Sequence, residues 1–92
     1  MAIVTLRYWA AAKEAAGTAE ETISAGTLAE ALAAARGRAE GDSYTGQNPR
    51  LRAVLARSSF LIDGTPVGSR APEAVELSDA AVIEVLPPFA GG

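Results

Sequence analysis

The sequence predicts a small α+β domain in which one mixed sheet of about five strands carries one main helix across it. Three observations lead there. Alternating, β-branched segments open and close the chain at 2–8 and 81–86, a capped Ala-rich helical segment begins at Thr27, and the elements follow the order strand, strand, helix, strand, short strand, strand. If the first and last strands are neighbours they run parallel, because the helix between them supplies the crossover.

The first strand places Val4, Leu6 and Tyr8 on one face and Thr5 and Arg7 on the other. Strong helix formers follow from Trp9 to Ala16 and stop at Gly17, a residue suited to the left-handed position after a helix. Glu20 to Ser24 resumes a weak alternation and makes a second strand, antiparallel to the first across the short helix. Thr27-Leu28-Ala29-Glu30 matches a capping box, with the Thr27 hydroxyl accepting from a free helical N–H and Glu30 reaching back to the Thr27 N–H. Leu28, Ala31, Leu32 and Ala35 then form one narrow apolar stripe, with Glu30 and Arg36 toward water.

From Gly37 to Gln47 the chain is Gly, Arg, Ser, Asp and Glu with Tyr44 as its one large apolar group, the pattern of a frayed helix end and a mobile loop. Asn48-Pro49 reads as an N-cap followed by Pro at the first helical position, and Leu51, Val54 and Leu55 supply the apolar side of a second helix. Phe60-Leu61-Ile62 is a strand, Asp63-Gly64 a hairpin turn, and Thr65-Pro66-Val67 the return, with Pro66 arguing for a sheet edge. Val75 and Leu77 are expected to plug the core from the 73–79 connection. Ala81 to Leu86 is the nearly continuous apolar run of a central strand, ended by Pro87-Pro88.

Composition limits what such a domain does. Of 92 residues, 49% are hydrophobic, but Ala supplies 21, which leaves 24 larger apolar groups for a core. An enclosed cofactor cavity would consume the core available to so short a chain. The net charge of −3 has the wrong sign for neutralising phosphates, so nucleic acid is not an expected partner. No Cys and no His removes thiolate nucleophiles, the usual zinc ligands and the commonest proton shuttle at neutral pH. No apolar run approaches the roughly 20 residues of a membrane span and no basic leader region opens the chain, so the expectation is a cytoplasmic protein without a membrane partner.

That leaves the tail. A terminal Gly-Gly arises by chance with a probability of about 0.01 at this chain's glycine frequency, and Pro-Pro-Phe stands just before it. Pro87 and Pro88 have fixed φ and lack the N–H needed for a ladder, so residues 87–92 are expected to leave a domain spanning 1–86 as a stiff spacer. Phe89 and Ala90 anchor it. Gly91 and Gly92 carry no Cβ and pass through a channel too narrow for other residues, delivering the terminal carboxylate to a partner's catalytic groups.

These segments together resemble a known family. Val4-Thr5-Leu6-Arg7-Tyr8-Trp9-Ala10, Lys13-Glu14-Ala15-Ala16-Gly17, Asp63-Gly64 and Leu86-Pro87-Pro88-Phe89-Ala90-Gly91-Gly92 look like the MoaD/ThiS sulfur carriers, most of all the small subunit of molybdopterin synthase. The resemblance implies a ubiquitin-like β-grasp fold. It implies that a ubiquitin-activating-type adenylyltransferase (MoeB/ThiF-like), using ATP and Mg²⁺ that this chain does not itself bind, adenylates Gly92. A sulfur donor enzyme then converts Gly92 to a thiocarboxylate. The large subunit of molybdopterin synthase (MoaE-like) receives the tail, and the sulfur passes to cyclic pyranopterin monophosphate. The family's apolar partner contacts fall on Trp9 and Leu86, beside the tail residues Pro87, Pro88, Phe89 and Ala90. Trp9 also fits a core aromatic capping the first helix. Two departures stand out: Asp79-Ala80-Ala81-Val82 replaces the family's Asp-Gly-Asp-Glu, and 37–48 is longer than the usual connection. A ThiS-like carrier for thiamin or another metabolite, a ubiquitin-like modifier, and a plain β-grasp interaction module with an inert tail are the alternatives.

Other polar groups read as scaffold. Glu20 and Glu21, adjacent on a strand, point to opposite faces and form no acid–base pair; a solvated strand is expected there. Arg50, Arg52 and Arg57 form a small basic cluster expected to face solvent.

Overall fold

A computed structural model describes residues 2–36 and 49–88. The expected loop 37–48, with Asn48 and Tyr44, and the tail residues Phe89, Ala90, Gly91 and Gly92 lie outside the described residues. In chain order the elements are β1 (Ala2–Tyr8), α1 (Ala10–Ala16), β2 (Glu20–Ala25), α2 (Leu28–Ala34), α3 (Pro49–Leu55), β3 (Ser59–Ile62), β4 (Thr65–Pro66), a 3₁₀ turn (Pro72–Ala74) and β5 (Val82–Leu86). They build a five-stranded mixed sheet of order β2-β1-β5-β3-β4. β1 and β5 are its parallel central pair, with Leu6 opposite Ile83 and Tyr8 opposite Val85; every other pairing is antiparallel.

Both edges follow from local chemistry. Pro66 cannot donate to a ladder, and β4 is accordingly the outermost strand. Asp63 and Gly64 both take positive φ, 50° and 85°, as a tight hairpin whose twist matches its strands requires. The Asp63 Oδ1 also accepts from the Val82 N–H at 3.0 Å, which ties this turn to the start of β5. At the opposite side α1 ends at Gly17, φ 73°, whose N–H donates to the Lys13 carbonyl, and the chain reverses into β2.

The helices share one face of the sheet. Val4, Leu6 and Tyr8 of β1 and Ile83 and Val85 of β5 meet Ala12, Ala15 and Ala16 of α1, Leu28 and Ala31 of α2, and Leu51 and Leu55 of α3 in one core. Val75 plugs it and Leu77 packs at its margin, as the connection pattern indicated. α2 packs against β2 and the 3₁₀ turn, and α1 and α3, equal to it in length, share the same face of the sheet.

One detail of the capping box differs. The Glu30 N–H donates to Thr27 Oγ1 at 3.2 Å, but the Glu30 carboxylate accepts from the Gly26 N–H, at 2.7 Å, rather than from Thr27. The reason is a β-bridge between Thr27 and Glu76, which fixes the backbone so that Leu28 N–H donates to Val75 and Leu77 N–H to Gly26. A Cβ at position 26 would stand 3.1 Å from that carboxylate oxygen, so glycine admits the close approach. In the turn before β5, Ala80 takes φ 70°, a left-handed conformation that costs a residue with a Cβ. It is held by Ala80 N–H donating to the Ile3 carbonyl at 2.8 Å and Ile3 N–H donating to Asp79 Oδ1 at 2.9 Å.

Glu20 and Glu21 do point apart, but Glu21 is more than a solvated strand residue. Glu20 pairs with Arg7 at 3.6 Å on the open face. Glu21 is half-buried: it accepts the Tyr8 hydroxyl at 2.5 Å and the Arg36 N–H with both oxygens at 3.2 Å, so it joins β1, β2 and the end of α2. Burial, and then the hydrogen bond and charge of Glu21, hold the Tyr8 phenol far above its ordinary pKa of 10.0. The folded state therefore favours the protonated phenol, and this contribution is fully present below the unfolded value and lost as pH rises above it. Urea unfolding should show wild-type stability level across neutral pH and falling above about pH 10, near the model-peptide tyrosine value. Tyr8→Phe should be less stable by about 1–2 kcal/mol at pH 7, with a shallower alkaline decline.

Candidate functional site: the root of the C-terminal tail

Because β1 and β5 are parallel and adjacent, they end together. The residue after β1 is Trp9 and the last residue of β5 is Leu86, so the register that sets Tyr8 opposite Val85 brings these two side by side. The Trp9 N–H donates to the Val85 carbonyl at 3.3 Å, extending the ladder by one bond. Pro87 and Pro88 follow immediately and end it, since neither donates. The structure thus brings Trp9, Leu86, Pro87 and Pro88 to one corner; Phe89, Ala90, Gly91 and Gly92 lie outside the described residues.

Of its two readings, Trp9 is the exposed one. It retains 46% of its accessible surface, and its indole Nε1–H donates to Glu84 Oε1 at 3.2 Å. The core position beside it is filled by Tyr8, 1% exposed. Alternation explains the outcome: Tyr8 points into the core, so the next residue emerges on the opposite face with Arg7 and Glu84.

That opposite face is the part of the site the sequence reading missed. Alternation along β1, β3 and β5 puts Ile3, Trp9, Leu61, Val82 and Leu86 on the side away from the helices, and no described element covers it. Ile3 is 52% exposed. A signal was present: β5 reads as a strand buried on both faces, yet among the described residues no second layer buries its outer side chains.

A second feature adjoins the same corner on the helix side. Ala10, Ala11 and Glu14 of α1, Val54 and Arg57 near α3, and Pro87 and Pro88 line a groove of about 450 Å³. Arg57 is therefore part of the tail root as well as of the basic cluster.

No catalytic constellation accompanies these surfaces among the described residues. No charged side chain is buried, no buried polar side chain lacks a partner, and no three potential metal ligands converge. No helix of the described residues is long and apolar enough to cross a membrane. What the corner offers chemically is an exposed apolar platform and a rigid exit for the tail.

Comparison with known proteins places this architecture. The ThiS family model matches residues 6–92, from the middle of β1 through the terminal Gly-Gly. No curated protein sequence matches. Among solved structures, small archaeal modifier protein 1 (SAMP1) from Methanosarcina acetivorans superposes with a TM-score of 0.74 and 27% identity, covering 100% of this chain and 98% of that one. SAMP1 from Haloferax volcanii gives 0.69 and 18%, covering 98% and 99%. A chain from the complex of subunits 1 and 2 of the molybdopterin-converting factor of Helicobacter pylori gives 0.63 and 21%, again covering 98% and 99%. The β-grasp fold and the family resemblance of the tail therefore agree, and the chain belongs to the ThiS family of ubiquitin-like sulfur carriers and modifiers.

Proposed function

We propose that this chain is a sulfur carrier, the small subunit of a molybdopterin synthase, and that its reactive group is the carboxylate of Gly92. The observation that carries the reading is the family match running through Leu86-Pro87-Pro88-Phe89-Ala90-Gly91-Gly92, on a fold that ends its central strand at an exposed apolar corner. In this reading a ubiquitin-activating-type adenylyltransferase directs the Gly92 carboxylate onto the α-phosphorus of Mg²⁺-bound ATP. Pyrophosphate leaves and an acyl-adenylate forms. The terminal sulfur of a donor enzyme's persulfide attacks the carbonyl carbon and expels AMP. A second thiol then cleaves the S–S bond, leaving a thiocarboxylate on Gly92 and a disulfide on the donor. Adenylation makes the carbon electrophilic and sulfur makes the product nucleophilic, so one terminus serves as acceptor and then as donor.

This chain's own residues contribute delivery and docking. Pro87 and Pro88 aim the tail, Phe89 and Ala90 anchor it, and Gly91 passes the constriction that leads to a partner's active site. Trp9 and Leu86 form the platform at its root, where an aromatic side chain contributes a large share of binding energy. The large synthase subunit is the proposed partner; the Helicobacter pylori neighbour, solved as a complex of subunits 1 and 2, supports such a pairing. The thiocarboxylate would then attack cyclic pyranopterin monophosphate.

A second reading has its own support, because the Methanosarcina acetivorans neighbour is described as a modifier. The same acyl-adenylate, met by a lysine amine instead of a persulfide, gives an isopeptide on a target protein. A ThiS-like carrier would differ only in its acceptor.

Intact-mass measurement after incubation with the adenylyltransferase, ATP and a persulfide donor separates these routes. The expected product carries one sulfur in place of one C-terminal oxygen, and an unchanged mass sinks the carrier reading; conjugates to lysine in lysate favour the modifier. Deleting Gly92, or Gly91→Val, should leave the thermal unfolding curve in place and abolish transfer to the pterin. Trp9→Ala should weaken binding to the large subunit by tenfold or more, a loss of about 1.4 kcal/mol or greater. Its stability should change by less than about 1 kcal/mol, against about 2–5 kcal/mol for Leu6→Ala in the core.

A further inference from the structure

The Trp9 indole is flanked by opposite charges. On the side of β2 it lines a cleft of about 240 Å³ that has Arg7, Lys13 and Glu20 among its walls. On the side of β5 its Nε1–H donates to Glu84 Oε1 at 3.2 Å. Cross-strand register explains the split, because one row of the open face reads Glu20, Arg7, Glu84 and Leu61 from β2 to β3. Arg7 pairs with Glu20 at 3.6 Å, so the cation beside Glu84 in that row is engaged on its far side. Among the described residues the indole is the side-chain donor that Glu84 has, and it occupies one of two carboxylate oxygens.

We propose that the Glu84 carboxylate and the exposed indole of Trp9 form a seat for an arginine side chain on the protein that covers the platform. Desolvation carries the argument. Glu84 meets the edge of the indole, so a surface that covers Trp9 and Leu86 draws water off this carboxylate as well. A carboxylate buried among apolar groups is costly unless a cation pairs with it. That cation has to bond the remaining oxygen of Glu84 while lying against an aromatic ring that is 46% exposed. A guanidinium does both, being planar, forked and able to stack on indole, whereas an ammonium is compact and strongly hydrated. The indole bond holds the carboxylate in one orientation before the partner arrives, which lowers the cost of ordering it.

Arg7 and Lys13 on the other flank repel the same cation, so the seat accepts it from the β5 side and sets how the partner is turned. A second copy of this chain fits poorly, since the cation in this row is already paired and each copy carries a net charge of −3. The inference deepens the proposed function and rests on its reading of the platform as the partner-binding surface. Its main test uses neither an activating enzyme nor a sulfur donor, so its failure leaves the transfer chemistry untouched.

Trp9 is the single tryptophan of the chain, so its indole N–H resonance reports this corner alone. Titration of the 92-residue chain with N-acetyl-Leu-Arg-Leu-amide should move that resonance and saturate. The citrulline peptide, equal in shape but uncharged, should bind about tenfold more weakly, with the lysine peptide between them. Glu84→Gln keeps an oxygen to accept from the indole and removes the charge, and it should abolish the preference for arginine over citrulline. The large synthase subunit should bind Glu84→Gln and Glu84→Leu about tenfold more weakly than wild type. A resonance that the arginine peptide leaves in place, equal affinity for the arginine and citrulline peptides, or a Glu84→Leu chain that binds the large subunit as tightly as wild type overturns the proposal. So does a shift that follows the concentration of the chain alone, which assigns the face to a second copy. A wild-type chain that ignores the large subunit yet selects arginine over citrulline supports the seat and overturns only the choice of partner.

Discussion

Everything that makes this domain useful depends on one pairing, the parallel ladder between its first and last strands. Parallel neighbours need a crossover, and here the crossover is the whole interior of the sequence, from α1 to the turn at Ala80. Closing so long a loop has an entropic cost that grows slowly with length, and the ladder's central place in the sheet offsets it with burial. Leu6, Tyr8, Ile83 and Val85 are at most 1% exposed. Both strands also point the same way, so the residue that leaves β1 and the residue that leaves β5 arrive together. An antiparallel pair would have put Trp9 at the opposite end of the sheet from Leu86, and the tail would emerge without a platform.

The core achieves this with little material. Seven of its eighteen buried hydrophobic residues are alanines, and small side chains at a contact let helices sit close to what they pack against. Each helix is only seven residues long, below the length at which an isolated helix is stable in water. Their ends are fixed locally: Gly17 follows α1, Thr27 caps α2 with Glu30 in its first turn, and Pro49 opens α3. The Tyr8–Glu21–Arg36 contact does the same for the far end of α2, with the one buried hydroxyl of the sheet serving as its anchor. The cost of thrift is that one layer of helices covers one face.

Much of this was legible in the residues because each element carries its own stop and start. Asp63-Gly64 demands positive φ twice, Pro66 demands an edge, and a near-continuous apolar β5 demands the centre; each is found there. What could not be read was which face the helices choose. Alternation divides a strand into two faces without saying which is covered, so Trp9 stood between core and surface until the burial of Tyr8 decided it. The Glu30 bond to Gly26 was hidden for a similar reason, since it depends on a bridge to Glu76, 49 positions from Thr27 in sequence. The groove had no pattern at all: alanines in α1 read as helix formers, and nothing local marks two of them as the wall opposite Val54 and Arg57.

The open face also bears on how a sulfur carrier and a protein modifier share one fold. In the chemistry proposed above both begin from an acyl-adenylate, whose carbonyl carbon would accept a persulfide or an amine, so the nucleophile it meets would depend on which protein holds the carrier. Discrimination then belongs to the surface that partners grip rather than to Gly91 and Gly92, which are the least specific residues available. On this chain the surface proposed for that role is the uncovered sheet face of Ile3, Trp9, Leu61, Val82 and Leu86 around the Trp9–Glu84 hydrogen bond. A partner that supplies its own donor to Glu84 keeps the indole fixed, whereas one that buries Glu84 without such a donor leaves a carboxylate poorly paired, at a cost of kilocalories. One polar group inside an apolar patch would thus let the proposed platform reject partners as well as bind them.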